Sequence, residues 1–207
     1  MRSSKFWKKS IIFVVTLLAV CTLALGCSGG DESGAPDGMK AAHVSAADYR
    51  VYVPSEWVVD TAENSLMASA HASETDRTNL TVMAYTGDRT YASLEEYFAA
   101  YRIGLEKMFD LDDDGKTTFS MLTDGDRCLL GGSAANKYVY SGKVGGVELK
   151  YEQIVSYYDG NYYLVTFTAD VSLFDEHTDD FDQILQNFAF AKAPSTTASL
   201  TTTEEPK

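Results

Sequence analysis

Cysteine, histidine and proline are scarce in this chain of 207 residues, which contains three, three and four of them. Cys21 lies in an N-terminal apolar run and Cys27 directly behind it. If the run is removed and Cys27 is modified, Cys128 is left alone and no intramolecular disulfide can form. The fold must then stand on its hydrophobic core. A lone thiol in the apolar stretch Arg127-Cys128-Leu129-Leu130 is expected as a small buried hydrophobe. His43, His71 and His177 form no His-Glu-x-x-His pair and no zinc-like cluster, and each is expected to be an ordinary solvated residue. Gly-x-Ser-x-Gly, Walker and dinucleotide glycine patterns are also missing, so nucleophilic or nucleotide chemistry has no visible starting point. Positive charge is sparse too, with 17 Lys and Arg against 30 Asp and Glu. Affinity for phosphate backbones comes mainly from clustered Lys and Arg, so nucleic acid is not the expected partner.

A long hydrophobic run is the last thing missing. Residues 1–10 carry Arg2, Lys5, Lys8 and Lys9 without an acid, and the apolar stretch from Ile11 ends at Leu25, before Gly26-Cys27. A bilayer core of roughly 30 Å needs about 20 apolar residues, so a spanning helix fits poorly. The order basic, apolar, small is that of a secretory signal. Leu23-Ala24-Leu25-Gly26-Cys27 resembles the lipobox of bacterial lipoproteins, which favours a lipoprotein signal at 1–26 over an anchor helix or a signal cleaved elsewhere. Cys27 would then be the first mature residue and the lipidation site. Two acyl chains anchor stably where one holds only marginally, at about 0.8 kcal/mol per buried methylene. Loss of the four basic residues leaves 13 Lys and Arg against 30 acids, a formal charge of −17 on the mature chain. Anionic headgroups would repel such a surface.

Residues 27–44 read as a flexible tether, rich in Gly, Ser, Asp and Pro between Ser28 and Ala42. Such a segment has a root-mean-square reach of about 20 Å. Residues 192–207 are rich in Thr and Ser and read as a disordered tail. One folded domain is expected at 45–191.

Within it, strands are expected at Tyr49 to Pro54, Val58-Val59, Leu66 to Ala70 and Asn79 to Tyr85, with Trp57 as a core plug. Ser93-x-x-Glu96 is a capping box, and Leu94, Tyr97, Phe98, Tyr101, Leu105 and Met108 follow at helical spacing. Further strands are expected at Thr117 to Leu122, Cys128 to Gly131, Lys137 to Val144, Val147 to Tyr158 and Tyr162 to Ala169. Their short connections make them antiparallel. A Gly145-Gly146 turn sets Lys143 against Glu148 and Tyr140 against Tyr151. Alternation in the next hairpin favours an odd loop, Asp159-Gly160-Asn161, with Val155 opposite Val165. A final helix is expected at about Thr178 to Asn187.

Tyr49-Arg50-Val51-Tyr52-Val53-Pro54-Ser55-Glu56-Trp57, the capped Ser93-Leu94-Glu95-Glu96-Tyr97 helix and the closing Phe181-Asp182-Gln183-Ile184-Leu185-Gln186-Asn187-Phe188-Ala189-Phe190 occur in the order seen in PsbP-like domains. The chain resembles that family from 45 to 191. The resemblance implies an α+β fold, an α/β sandwich with an antiparallel sheet of about six strands and packed helices. It also implies an accessory or binding role without catalysis. The matching positions are core and turn residues, so they carry over no catalytic, cofactor-binding or metal-binding residue.

Asp110-Leu111-Asp112-Asp113-Asp114-Gly115 matches the opening of a calcium loop, whose alternate carboxylates suit a hard cation. Its twelfth position is Met121 where a bidentate Glu is needed. An acidic helix-to-strand turn is therefore weighed beside a weak Ca²⁺ site at Asp110, Asp112 and Asp114. Seven of the thirteen tyrosines lie between Tyr138 and Tyr163. They suit either strands or a recognition surface, the latter if Tyr138, Tyr140, Tyr158 and Tyr162 are exposed together. The expectation is a lipid-anchored extracytoplasmic protein that binds the membrane through Cys27 and an unidentified envelope protein or ligand, with no cofactor. A Ca²⁺-binding envelope module and an enzyme with a scattered site are the alternatives.

Overall fold

The computed structural model describes residues 34–62, 65–87 and 91–192. The signal, Cys27, the first part of the tether and the tail beyond Lys192 lie outside the described residues. The elements run β1 (Met39–Ala41), β2 (Tyr49–Arg50), β3 (Tyr52–Pro54), β4 (Val58–Val59), β5 (Ala68–Ser73), β6 (Asp76–Thr86), α1 (Leu94–Leu105), β7 (Ser120–Leu130), β8 (Ser133–Val144), β9 (Val147–Tyr158), β10 (Asn161–Asp170), α2 (Thr178–Gln186) and β11 (Ala189–Phe190). Seven strands form one antiparallel sheet in the order β4-β5-β6-β10-β9-β8-β7. β1 pairs with β3 and β2 with β11, outside that sheet.

The central strand β10 is buried at eight consecutive positions, Tyr162 to Ala169. Alternate side chains point to opposite faces of a strand, and both faces are covered. Tyr163, Val165, Phe167 and Ala169 join Val51, Val53, Trp57, Phe181, Ile184 and Phe188 in one core. Tyr162 and Leu164 join Tyr97, Phe98, Leu105, Phe109, Tyr138 and Tyr140 in the other. The N-terminal strands with α2 thus cover one face, and α1 covers the other.

Covering both faces also explains why one expected register fails. The β8–β9 hairpin has the expected pairs Lys143 with Glu148 and Tyr140 with Tyr151. In the β9–β10 hairpin, Tyr158 pairs with Asn161 and Val155 with Leu164, one residue away from expectation. A strand that is apolar on both faces gives alternation nothing to select. The turn decides instead: Asp159 and Gly160 sit at φ 47° and 83°, the two positive values of a two-residue type I′ connection.

Three expected boundaries also change. The tether ends earlier than residue 44, because Met39 pairs with Pro54 and both Met39 and Ala42 are buried. The expected strand Tyr49 to Pro54 divides at Val51. There the carbonyl accepts the N–H of Ala42, and the chain passes from pairing with β11 to pairing with β1. The two strands expected between Thr117 and Gly131 are one, β7. Its polar centre passes through register shifts between Met121 and Thr123 and between Asp124 and Asp126, with Gly125 at φ 90°. Bulges of this kind let a strand continue through residues that break its alternation.

Candidate functional site

The Ser93 hydroxyl accepts the N–H of Glu96, and the Glu96 carboxylate accepts the N–H of Ala92, so α1 starts where the capping pattern places it. The capped helix lies over β8, β9 and β10. Phe98 stacks on Tyr138 with ring centroids 3.5 Å apart, and Tyr97 stacks on Tyr162 at 4.2 Å. The Tyr138 hydroxyl donates to the Leu94 carbonyl, and the Asn136 amide donates to Glu95 and to that same hydroxyl. Burial raises the pKa of Tyr138 and of Tyr140, keeping their hydroxyls protonated.

These contacts overturn the tyrosine recognition surface. Tyr138, Tyr140 and Tyr162 are buried, and Tyr158 stacks on Phe190 while donating to the Lys192 carbonyl. The rings hold the layers together, burying large area in defined geometry.

The acidic turn after α1 is likewise structural. Asp110 accepts the N–H groups of Gly145 and Gly146 through its two carboxylate oxygens, tying the turn to the β8–β9 hairpin. Asp112 accepts from the N–H groups of Asp114 and Lys116. Asp110, Asp112 and Asp114 are not brought to one point: among the described residues, no group of three His, Cys, Asp or Glu side chains could hold a metal ion.

All three histidines have partners, which corrects their reading as solvated residues. His43 shares Nδ1 with the backbone of Val51 and packs edge-on against Tyr52. His71, on β5, lies 2.6 Å from the Asp60 carboxylate. His177 is held on both sides, with Nδ1 and Nε2 each 2.9 Å from a carboxylate oxygen, of Asp180 and Asp76 respectively. Burial alone would lower the His177 pKa, but the hydrogen bonds and charges of Asp180 and Asp76 outweigh it and raise the value. This cluster joins the start of α2 to the β5–β6 hairpin, and both ring nitrogens are committed to it. Cys128 is half-buried against the core, and burial raises its thiol pKa, so it is not poised as a nucleophile.

An open groove of about 480 Å³ lies between the outer flank of α1 and the edge strand β7. Phe98, Ala99 and Ile103 give it an apolar floor and wall, and Glu95, Glu106 and Asp124 give it an acidic rim with Arg102. Arg102 is already engaged, 2.6 Å from Glu106 and over the Phe119 ring at 5.1 Å. Ile103 is 63% exposed. Sequence reasoning missed this groove, although one signal was present: Ile103 is apolar but falls off the stripe from Leu94 to Met108 that packs on the sheet.

The sequence matches no protein-family model and no curated protein. Its fold does have counterparts among solved structures. The Ran-binding protein Mog1p of Saccharomyces cerevisiae is 8% identical, with 74% of this chain and 96% of that one covered and a TM-score of 0.52. Cyanobacterial PsbP from Synechocystis sp. PCC 6803 is 15% identical, with 80% and 98% covered and a TM-score of 0.50. PA94 of Pseudomonas aeruginosa, a protein of unknown function, is 17% identical, with 77% and 99% covered and a TM-score of 0.50. At these identities the likeness is one of architecture, and it agrees with the order of strands and helices expected from the sequence: the chain carries the PsbP/Mog1-like α+β fold.

Proposed function

We propose that this is a non-catalytic accessory domain that binds a partner through the α1–β7 groove, and that it is held outside the cytosol by lipid on Cys27. The groove carries the reading. It joins exposed apolar surface to carboxylates whose charge is only partly balanced, while the groups best suited to chemistry elsewhere already have structural roles. His177 bridges two carboxylates, Asp110 ties two turns together, and the buried tyrosines pack the layers. An apolar patch rimmed by polar groups is the usual form of a recognition surface. The anchoring half of the proposal rests on the sequence at 1–27.

The experiment is site-specific photocrosslinking in intact cells. A photoreactive residue at Ile103 should give a discrete higher-mass adduct, and the same residue at exposed Glu56, on the other side of the sheet, should not. An identical adduct pattern from both positions, or none from Ile103, contradicts the reading.

A further inference from the structure

Three carboxylates and one arginine line the groove, and the arginine is already bound to one of the three. Glu95 accepts the Asn136 amide and feels the charge of Arg127, and Asp124 makes no ion pair among the described residues. Negative charge at the rim is therefore only partly balanced by the protein itself. A long cationic side chain suits such a place, because it can lay its methylenes on apolar surface while its charged end stays at the wet rim. Phe98, Ala99 and Ile103 offer the apolar surface, and Glu95 and Asp124 offer the carboxylates on either side of it. Anionic ligands and anionic membranes are disfavoured here by the same rim and by the net charge of −13.

The edge strand limits how a partner can be held. An uninterrupted edge would accept an added strand through its free backbone groups. The register of β7 shifts twice, around Leu122 and Gly125, alongside the charges of Asp124, Asp126 and Arg127. Bulges and charges on an edge block strand addition. Recognition here is consequently by side chains.

We propose that the α1–β7 groove receives a cationic segment of a protein partner, whose Lys or Arg stems lie on Phe98, Ala99 and Ile103 and whose charges meet Glu95 and Asp124. This rests on the groove being a binding face, and it names the chemistry of what binds there.

The test uses the full chain in detergent, labelled with ¹⁵N, and two twelve-residue peptides of equal length, one of Lys, Leu and Ala and the other with Glu in place of Lys. The Lys peptide should move the amide signals of Ala99, Ile103 and Asp124, more weakly at higher salt. The Glu peptide should leave them in place. Asp124→Lys should weaken the Lys peptide about threefold or more, the order expected for one exposed charge pair, while Glu56→Lys should leave it unchanged. Equal binding of both peptides, no response to the Lys peptide, shifts elsewhere on the surface, or equal weakening by the two substitutions would each overturn the proposal. If the peptides fail while Ile103 still crosslinks in cells, the cationic assignment falls and the binding face stands.

Discussion

His177 is a residue whose protonation bears directly on this fold. Asp76 and Asp180 accept from its two ring nitrogens, and the group also spans two elements: Asp76 begins β6, and Asp180 lies in the first turn of α2. Nearby charge includes Asp175, which pairs with Lys150, and Arg77, which pairs with Asp170. With a folded pKa above the ordinary 6.5, protonated His177 stabilises the fold fully below that value, and the contribution is lost as pH rises through the folded pKa. Asp76 works in the opposite sense. Burial would raise its pKa, but the hydrogen bond from the Thr78 backbone N–H and the hydrogen bond and charge of His177 outweigh this and lower it. Its contribution is present above the ordinary carboxylate value and lost as pH falls. Stability should thus peak between about pH 4 and 6.5. The thermal midpoint of the protein should fall from pH 6 to pH 8, and His177→Asn should flatten that fall; an equally steep fall in the variant contradicts the role. The Asp180 contact is local, three residues on, but the bridge to β6 was not readable from the residues around His177, because Asp76 lies 101 positions away in the chain.

At the scale of elements, local chemistry was legible and long-range cover was not. The start of α1 followed from Ser93 and Glu96, and the Gly145-Gly146 hairpin followed from its two glycines, because both signals are completed within a few residues. Ser93→Ala should cost about 1 kcal/mol, seen as a lower urea midpoint with the denaturant slope unchanged, whereas Ser93→Asp should retain most of the stability. A full-strength fold in Ser93→Ala would show that packing on Tyr138 and Tyr162 alone sets the helix. The β9–β10 register was misjudged because the choice depended on whether both faces of β10 are covered, a fact supplied by α1 and α2 from outside the hairpin. β7 was divided in two for a related reason. Its centre, Thr123-Asp124-Gly125-Asp126, looks like a loop until β8 is present to hold it, with Asn136 and Tyr138 packed near Gly125. The groove was hidden by the same limit, since its walls, α1 and β7, meet only through the sheet.

For the whole molecule, charge and position point the same way. The core is aromatic and closed on both faces, and the negative surface favours cations over anionic membranes. A domain of this kind, attached by lipid at Cys27, would stand off the membrane and present the α1–β7 groove to proteins at the cell envelope. On that proposal the anchor would decide which partners the groove can meet. The most direct test is the mass of the N-terminal peptide of the protein recovered from the membrane fraction. The account predicts a chain beginning at Cys27 and carrying a diacylglyceryl adduct, with Cys27→Ser released from the membrane. An unmodified Cys27 in a full-length chain found in the cytosol would contradict it.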